Sequence, residues 1–379
     1  MVAIDSYAGG DGRLSPLSTP SATRAVLEAH GIGTKYTLGQ NFLVNDDVLK
    51  KIIALAEVGE NDRVLEVGPG IGTLTIALLK HAASVIAIER DPDLPVVLAD
   101  TLHPWREKFA LIEKDALDVT EGDIVAAVAE IGADTGYSDR ASSAANETAQ
   151  WAVSQSEDCL SESGYPVAPP QEDLQLSLPS KLVANLPYAV AATVVLDYFE
   201  SFPFLDSATI MVQKEVADRM AAAVGTKNYG AYTVKLGLYA EPVGRFAVGP
   251  GNFFPPPRVD SAVIRLNRRV PLMADGAPAS PEVIAAAALM ADAAFTNRRK
   301  TIANSCKTYF SGRGPISLGA GPSAQEGAPG IVLPDGAAIA EHLPAIFDAA
   351  AIDPRRRGET LTQQEFLALG AALLKVTAA

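Results

Sequence analysis

Between residues 63 and 113, three short apolar runs alternate with two stretches of helical character, and this alternation limits the fold more than any other feature. The apolar runs predict strands at Arg63–Val67, Val85–Glu89 and Ala110–Glu113, and helices are predicted at Thr73–His81 and after Asp91. Strand–helix alternation at this spacing indicates βαβ units, whose strands lie parallel and whose crossovers are right-handed. We therefore predict an α/β fold with a mostly parallel, Rossmann-like sheet.

The same kinds of pattern predict helices and strands in the rest of the chain. A helix is predicted from about Asp46 to Ala56, with Asn45 or Asp46 as its N-cap. Strands are predicted at Lys181–Ala184, Ala208–Val212, Tyr232–Tyr239 and Ser261–Leu266, and a helix at Lys214–Ala223. Beyond residue 280 the predicted helices are Pro281–Ala294, Arg298–Lys307, Ala337–Ala350 and Gln363–Leu374.

These elements divide the chain into two predicted domains. Residues 1–24 are expected to be a flexible tail, residues 25–275 the α/β domain, and residues 276–379 a small all-α domain. Within the α/β domain, residues 131–177 are rich in Ala, Ser, Gln and acidic residues and show no period, which predicts a disordered insertion. The Gly/Pro-rich residues 312–335 are expected to form a loop insertion in the helical domain.

The formal net charge of -14 argues at first against a nucleic-acid partner, which usually selects a basic surface. The charge is unevenly distributed, however. Residues 131–180 contain eight acidic residues and one Arg, whereas residues 181–310 carry a net charge of +4. Half of the negative charge therefore lies in one short stretch, and a basic surface elsewhere remains compatible with the composition.

Other classes of protein are disfavoured by the sequence. No apolar run reaches the roughly 18 residues that a membrane-spanning helix needs, and the acidic start of the chain does not resemble a signal peptide. Cys159 and Cys306 are far apart, and the four histidines form no metal-binding motif. We therefore expect a cytoplasmic protein, with no metal and no membrane partner.

The strongest local signal is the sequence EVGPGIG at 66–72, which follows a predicted strand and precedes a predicted helix. Glycines in such a turn let the backbone approach a ligand closely, although an ordinary strand–helix turn is the alternative. A dinucleotide fingerprint registered on Gly68 would place its last glycine at Thr73, and Pro69 removes one backbone donor. A ligand without a phosphate therefore fits Gly68 and Gly70 better than a pyrophosphate.

Two carboxylates follow successive predicted strands beside this turn. Glu89 ends the second strand and is suited to accept both hydroxyls of a ribose. Asp115 lies just past the third strand and is suited to accept from an adenine amine. Either acid alone is explained as a solvated strand end, but together they outline a pocket for adenosine.

The fourth predicted strand ends in the sequence NLPY at 185–188. An adenine N6 amine is a poor nucleophile because its lone pair is delocalised into the ring. The Asn185 side-chain oxygen and the Leu186 carbonyl, held in place by Pro187, can accept the two amine hydrogens and orient that lone pair. Tyr188 offers a face on which an extruded base can stack. An unremarkable turn is the alternative reading.

A proline-stiffened segment, NFFPPPRVDS at 252–261, precedes another predicted strand. It can hold Phe253 as a second face over the base. The alternative is a stiff crossover whose phenylalanines pack in the core.

These segments together make the chain resemble the ribosomal RNA adenine N6-dimethyltransferase family, and within it the bacterial small-subunit branch. The resemblance covers roughly residues 35–310 in family order and rests on several joint motifs. These are LGQNFL at 38–43, EVGPGIGTLT at 66–75, AIERD at 87–91, KDA at 114–116, NLPY at 185–188, VQKEVADRM at 212–220, FFPPPRVDSAVIRL at 253–266 and AFTNRRKTI at 294–302.

The resemblance implies transfer of methyl groups from S-adenosylmethionine to N6 of two adjacent adenines near the 3′ end of 16S ribosomal RNA, in the immature 30S subunit. It implies cofactor contacts from Asn41, Leu43, Gly68, Gly70, Glu89, Asp115 and Asn185. It implies a target-amine site formed by Asn185, Leu186, Pro187 and Tyr188, with Phe253 opposite. It also implies RNA contacts from Arg258, Arg298, Arg299 and Lys300, for which a solvated helix face is the alternative, and we expect a monomer.

Two alternatives to this function remain at the level of sequence. One is a large-subunit ribosomal RNA adenine methyltransferase. The other is an RNA-binding assembly or transcription factor in which methylation is dispensable. The acidic insertion and the segment at 312–335 depart from the family pattern without interrupting a motif, so they bear on ribosome docking rather than on the chemistry.

Overall fold

The computed structural model describes residues 12–33, 40–134, 178–318 and 331–378. They form two compact units, each assembled from separate stretches of chain. Unit 1 comprises Met1–Pro187 and Pro250–Arg258, and unit 2 comprises Tyr188–Gly249 and Val259–Ala379. The predicted domain boundary at 275/276 follows the change from strands to helices, and it stays a prediction.

A parallel four-stranded sheet forms the centre of unit 1, as the α/β prediction requires. Its strands are β2 (Arg63–Val67), β3 (Ser84–Ile88), β4 (Phe109–Ile112) and β5 (Lys181–Asn185), in the order β4-β3-β2-β5. Every residue of β3 is buried, as expected for a parallel strand that is covered on both faces. The helices of unit 1 are α1 (Pro20–Ala29), α2 (Asp46–Ala56), α3 (Thr73–Leu79), α4 (Leu94–Thr101) and α5 (Glu121–Asp134).

A second, two-stranded sheet in unit 1 joins distant parts of the chain. Strand β1 (Phe42–Leu43) pairs antiparallel with β8 (Phe253–Phe254), so that Phe42 faces Phe254 and Leu43 faces Phe253. This pairing attaches the segment Pro250–Arg258 to unit 1.

The prediction of a flexible tail at 1–24 is wrong for its second half. Leu17 is fully buried, and α1 begins at Pro20 with Thr19 as its N-cap. The backbone N–H of Leu14 donates to Oδ1 of Asp46 at 2.8 Å, which ties this stretch to the start of α2. A single buried Leu and a hydrogen bond across 32 residues leave no periodic signal. Residues 1–11 lie outside the described part.

Unit 2 is built on three antiparallel strands and a group of helices. The strands β6 (Ser207–Gln213), β7 (Ala240–Val248) and β9 (Ser261–Arg268) pair in the order β6-β9-β7. The helices are α6 (Ala191–Ser201), α7 (Lys214–Met220), α8 (Ala231–Gly237), α9 (Pro281–Phe295), α10 (Ile302–Phe310), α11 (Gly336–Ala349) and α12 (Gln363–Thr377). The last four form the expected helical C-terminal region, and their core also takes in Tyr229 and Val234.

Two predictions of local structure within unit 2 are wrong. The strand expected at Tyr232–Tyr239 is helix α8, and the strand follows it as β7. Tyr232, Thr233 and Val234 favour strands intrinsically, but the buried positions of α8 pack in a helical arrangement against the C-terminal helices. The loop expected at 312–335 contains two strands, β10 (Ile316–Leu318) and β11 (Ile331–Leu333), which pair antiparallel and are too short to show a period.

The acidic insertion predicted at 131–177 falls mostly outside the described residues. Helix α5 continues to Asp134, four residues into the predicted insertion, and the description resumes at Leu178, which is buried. The other boundaries of the predicted strands agree with the structure to within two residues in β2, β3, β4, β5, β6 and β9.

Candidate functional site

The glycine turn after β2 adopts backbone conformations that other residues would strain. Gly68, Gly70 and Gly72 have φ values of +71°, +61° and +88°. A Cβ added at Gly70 would lie 3.0 Å from Cε1 of Phe42, a tight contact that the ring could relieve only by shifting slightly. Glycine is therefore favoured here both by the backbone conformation and by the close approach of a neighbouring ring.

Glu89 follows β3, and the backbone fixes its carboxylate in place. Its Oε1 accepts hydrogen bonds from the backbone N–H groups of Arg90 at 2.9 Å and Asp91 at 2.8 Å. The residue is only 8% exposed, and this burial raises the pKa of its carboxyl. Hydrogen bonds from the N–H groups of Asp91, Arg90 and Gly70 lower the pKa by less. Oε1 is already engaged by two donors, so Oε2 is the oxygen that can accept from a ribose hydroxyl.

Asp115 lies past the neighbouring strand β4, and its carboxylate is oriented by two donors. Its Oδ1 accepts from the backbone N–H of Leu117 at 3.1 Å, and its Oδ2 accepts from Nη1 of Arg90 at 2.8 Å. The strands β3 and β4 pair in parallel, and the N–H of Glu89 donates to the carbonyl of Ile112 at 3.0 Å. The structure thus places Glu89 and Asp115 at adjacent strand ends.

Glu66, on the strand that leads into the glycine turn, is a buried carboxyl that was not among the predicted site residues. It is 1% exposed, and its Oε2 has no hydrogen-bond partner among the described residues. Burial raises the pKa of Glu66 to about 8, and the nearby Glu89 carboxylate contributes in the same direction. An unpartnered buried carboxyl oxygen beside the turn is suited to a ligand that brings a hydrogen-bond donor or a positive charge.

The first three residues of the NLPY segment lie against the glycine turn. Nδ2 of Asn185 donates to the backbone carbonyl of Asn41 at 3.1 Å, which orients the amide. A Cβ added at Gly68 would lie 3.5 Å from Cδ of Pro187 and 3.8 Å from the carbonyl oxygen of Asn185. The structure therefore brings Asn41, Gly68, Asn185 and Pro187 together, and Leu186 between them is almost completely buried.

Phe253 is paired with Leu43 in the small sheet and is only 3% exposed. Its ring is therefore buried, which agrees with the alternative that treats this phenylalanine as part of the core. Phe254 is half-buried, and the guanidinium of Arg24 lies 5.4 Å from the centre of its ring. The stacking role of Phe253 stays a prediction. It requires that the ring, which is buried in this structure, become accessible to a base.

Tyr188 follows Pro187 in the chain and is counted with unit 2. Its hydroxyl lies 2.6 Å from Oγ of Ser261, the first residue of β9. Burial raises the pKa of Tyr188, and the bond to Ser261 lowers it by less. The phenol is therefore neutral at physiological pH, with its hydroxyl anchored and its ring half-buried.

The predicted RNA-binding cations differ in how they are used. Arg258, in unit 1, is exposed. In unit 2, Nε of Arg298 donates to Oε2 of Glu359 at 2.8 Å, and its Nη2 donates to the carbonyl of Thr226 at 2.9 Å. Arg299 and Lys300 are exposed in the turn between α9 and α10, and α10 begins at Ile302 rather than at Arg298 as predicted. Arg298 thus connects loops of the protein, whereas its two neighbours face solvent.

Several contacts in this region were not predicted. Phe42 packs on Gly70, and Nε2 of Gln40 donates to Oδ2 of Asp91 at 2.7 Å. Gln40 and Phe42 lie within the LGQNFL motif, but only the three-dimensional structure shows what they contact. Asn45 caps α2 as predicted and also contacts Asn252, far away in the sequence.

Two further observations concern the classes of site that the sequence disfavours. Within the described ranges, no group of three or more His, Cys, Asp or Glu side chains is arranged to hold a metal ion. No helix in the same ranges is both long enough and apolar enough to span a membrane.

Comparison with known sequences identifies relatives of this chain. The sequence model of the family described as ribosomal RNA adenine dimethylase matches residues 33–314. The ribosomal RNA small subunit methyltransferase A of Geobacillus sp. (strain WCH70) is 33% identical over 360 residues, which are 95% of this chain and 98% of the relative. The protein of the same name from Enterococcus faecalis is 32% identical over 363 residues, covering 95% and 97% of the two chains.

Solved structures support the fold. A dimethyladenosine transferase from Plasmodium falciparum matches with a TM-score of 0.56 and 19% identity, covering 88% of this chain and 98% of that one. The 23S rRNA methyltransferase ErmE matches with a TM-score of 0.50 and 20% identity, covering 88% and 99%. At these identities the likeness concerns the fold alone.

Proposed function

The chain belongs to the ribosomal RNA adenine dimethylase family, and from this premise we propose that it dimethylates N6 of two adjacent adenines near the 3′ end of 16S ribosomal RNA. The methyl donor is S-adenosylmethionine, and the substrate is the RNA within the immature 30S subunit. Full-length similarity to small-subunit methyltransferases supports this assignment over the large-subunit alternative.

The orientation of the Asn185 amide is the observation that carries the proposal. Its nitrogen donates to the Asn41 carbonyl, so its oxygen is the atom left to face a substrate. An amide oxygen together with the Leu186 carbonyl supplies two acceptors for the hydrogens of an exocyclic amine, which concentrates the lone pair on the nitrogen. Catalysis in this site consists mainly of positioning the amine, with no covalent intermediate on the protein.

The residues around the glycine turn fit the cofactor. Gly68 and Gly70 give the backbone room to approach it, and Glu89 and Asp115 supply acceptors at two strand ends. The unpartnered oxygen of Glu66 suits a ligand that brings a hydrogen-bond donor. Asn41 and Leu43 complete the proposed set of contacts beside Asn185. S-adenosylmethionine, when bound, supplies an electrophilic methyl group on a cationic sulfur.

Recognition of the target base is assigned to aromatic residues, and recognition of the RNA backbone to cations. Tyr188 and Phe253 are the proposed stacking faces, and a base that stacks on Phe253 must displace what covers the ring. Arg258, Arg299 and Lys300 are exposed and available for phosphates, and Arg298 braces the loops beside Arg299 and Lys300. We further propose that the protein acts in the cytoplasm as a monomer and without a metal.

Transfer of labelled methyl groups tests the function. The protein is incubated with labelled S-adenosylmethionine and, in parallel reactions, with undermethylated 30S subunits or with large-subunit RNA, and the modified nucleosides are mapped. We expect label in dimethyladenosine at two adjacent positions of the small-subunit RNA, and label only in large-subunit RNA would favour the alternative branch. Binding to the subunit without any label in adenine would refute the enzymatic function.

Calorimetry tests the cofactor site separately. Glu89→Gln replaces one acceptor oxygen by a donor and should weaken binding of S-adenosylmethionine at least tenfold. Glu113→Gln is the control, because Glu113 is an exposed carboxylate beyond the end of the neighbouring strand β4. Equal affinity of the Glu89→Gln variant and the wild type would show that the ribose assignment is wrong.

A further inference from the structure

Asn252, the residue before β8, makes two hydrogen bonds to residues that follow β1. Its backbone carbonyl accepts from the N–H of Val44 at 2.8 Å. Its side-chain Oδ1 accepts from Nδ2 of Asn45 at 2.8 Å, across 207 residues of sequence. These bonds extend the pairing of the two-residue strands β1 and β8, which alone have few ladder bonds to hold them together.

Asn45 has a second contact that determines how its amide is turned. Its Oδ1 accepts from the N–H groups of Asp47 at 2.9 Å and Val48 at 3.2 Å, which caps helix α2. With the oxygen engaged by the helix, the nitrogen is directed at Asn252. Ser or Asp would cap the helix about as well. The cap alone therefore does not require an amide, whereas the bond to Asn252 does.

The strand held by this bond touches both halves of the proposed site. The Phe42 ring packs on Gly70 of the cofactor turn, and the Asn41 carbonyl orients the Asn185 amide. On the other strand, Phe253 is buried opposite Leu43. A ring packed this closely cannot adjust independently, because its position follows the backbone of β8.

We propose that Asn45 and Asn252 are positioning residues. Their side-chain hydrogen bond fixes residues 252–254, which include the proposed stacking residue Phe253, against strand β1, whose Phe42 contacts the glycine turn. This role rests on the proposed function, because it assigns the bond to the placement of the methyl acceptor. Neither side chain needs to touch cofactor or base. The bond acts through Phe253 on one strand and through Asn41 and Asn185 on the other.

Four variants separate positioning from folding. Asn252→Ala removes the acceptor, and Asn252→Asp restores an acceptor oxygen for Nδ2 of Asn45. Asn45→Ser keeps a cap for α2 but removes the amide nitrogen that reaches Asn252, whereas Asn45→Ala removes both. Each is assayed for methyl transfer to undermethylated 30S subunits, for S-adenosylmethionine binding by calorimetry, and for Tm.

We expect kcat to fall about tenfold in Asn252→Ala and in Asn45→Ser, since small displacements of reacting groups are costly. Cofactor affinity should change less than threefold, Asn252→Asp should recover most of kcat, and only Asn45→Ala should show a clearly lower Tm. A wild-type protein that transfers no methyl groups would refute the proposed function. An active wild type with unchanged kcat in Asn252→Ala and Asn45→Ser would overturn the positioning role alone, as would a loss that Asn252→Asp does not repair.

Discussion

Nη1 of Arg90 lies 2.8 Å from Oδ2 of Asp115, so the residue that follows Glu89 holds the second carboxylate of the proposed adenosine pocket. Both side chains are partly solvated, and an ion pair of this kind contributes little to the free energy of unfolding. Its value is geometric, because it ties the end of β3 to the residue past β4.

Replacing Arg90 should therefore affect the ligand more than the fold. In Arg90→Met, we expect S-adenosylmethionine to bind roughly three- to tenfold more weakly, which corresponds to about 0.6–1.4 kcal/mol, with little change in Tm. Calorimetry and thermal unfolding provide the two measurements. Arg106→Met is the matched control, because Arg106 is an exposed arginine outside the proposed site. Its Nη2 lies 3.8 Å from Oε1 of Glu107. Loss of stability without loss of affinity would contradict the geometric role.

Gly70→Ala should lower the free energy of unfolding more than an alanine substitution at another glycine with a positive φ. At Gly70 the new Cβ meets the Phe42 ring at 3.0 Å in addition to the unfavourable φ of +61°. Gly12→Ala has a comparable φ of +74° but nothing within 4 Å of its Cβ, so it isolates the backbone cost. We expect about 1 kcal/mol of destabilisation for Gly12→Ala and at least twice that for Gly70→Ala, from denaturant unfolding. Similar values for the two variants would mean that Phe42 moves aside easily.

The buried carboxyl of Glu66 should make stability depend on pH. Because its folded-state pKa is raised to about 8 from 4.5, the folded protein retains a proton that the unfolded chain loses as pH rises. The contribution of this group is fully present below pH 4.5 and is lost as pH rises through about 8. Glu66→Gln cannot ionise, so the difference in Tm between this variant and the wild type should shift in favour of the variant from pH 5 to pH 8. A difference that does not vary with pH would show that Glu66 titrates normally.

The exposed cations after α9 should govern how RNA binding depends on salt. Replacing Arg299 and Lys300 by Ala should lower the slope of log affinity against log salt by about one for each residue, measured with 30S subunits. Arg298→Met should instead lower Tm, because Arg298 bonds Glu359 and the Thr226 carbonyl. An unchanged slope in the double variant would mean that these two cations are only solvated surface residues.

Removing most of the acidic insertion should spare the catalytic site. Helix α5 continues to Asp134 and Leu178 is buried, so residues 136–176 are the stretch to replace by a Gly/Ser linker. We expect methyl transfer within twofold of the wild type. Binding to 30S subunits at low salt should become tighter, because the stretch carries seven acidic residues against one Arg. Loss of the folded circular dichroism signal would show that the insertion is structural.

Local signals made much of the parallel sheet predictable. The strands β2 to β5, the glycine turn and the Asn45 cap each depend on patterns within a few residues, and all were predicted. Helix α8 was misread because the β-branched Thr233 and Val234 favour strands, while the packing that makes them helical comes from distant helices. The bond between Asn45 and Asn252 and the burial of Leu17 likewise depend on residues far apart in sequence, which no local period encodes.

Unit 1 is discontinuous in the chain, since Pro250–Arg258 joins it only after Tyr188–Gly249 has been made for unit 2. At roughly 5–20 residues per second of synthesis, the 62 residues from Tyr188 to Gly249 take about 3–12 s to translate. During that interval a nascent chain already contains the glycine turn, Glu89, Asp115 and Asn185. It still lacks β8, which is the partner strand of β1. Among the proposed site residues of unit 1, only Phe253 and then Arg258 leave the ribosome after this interval.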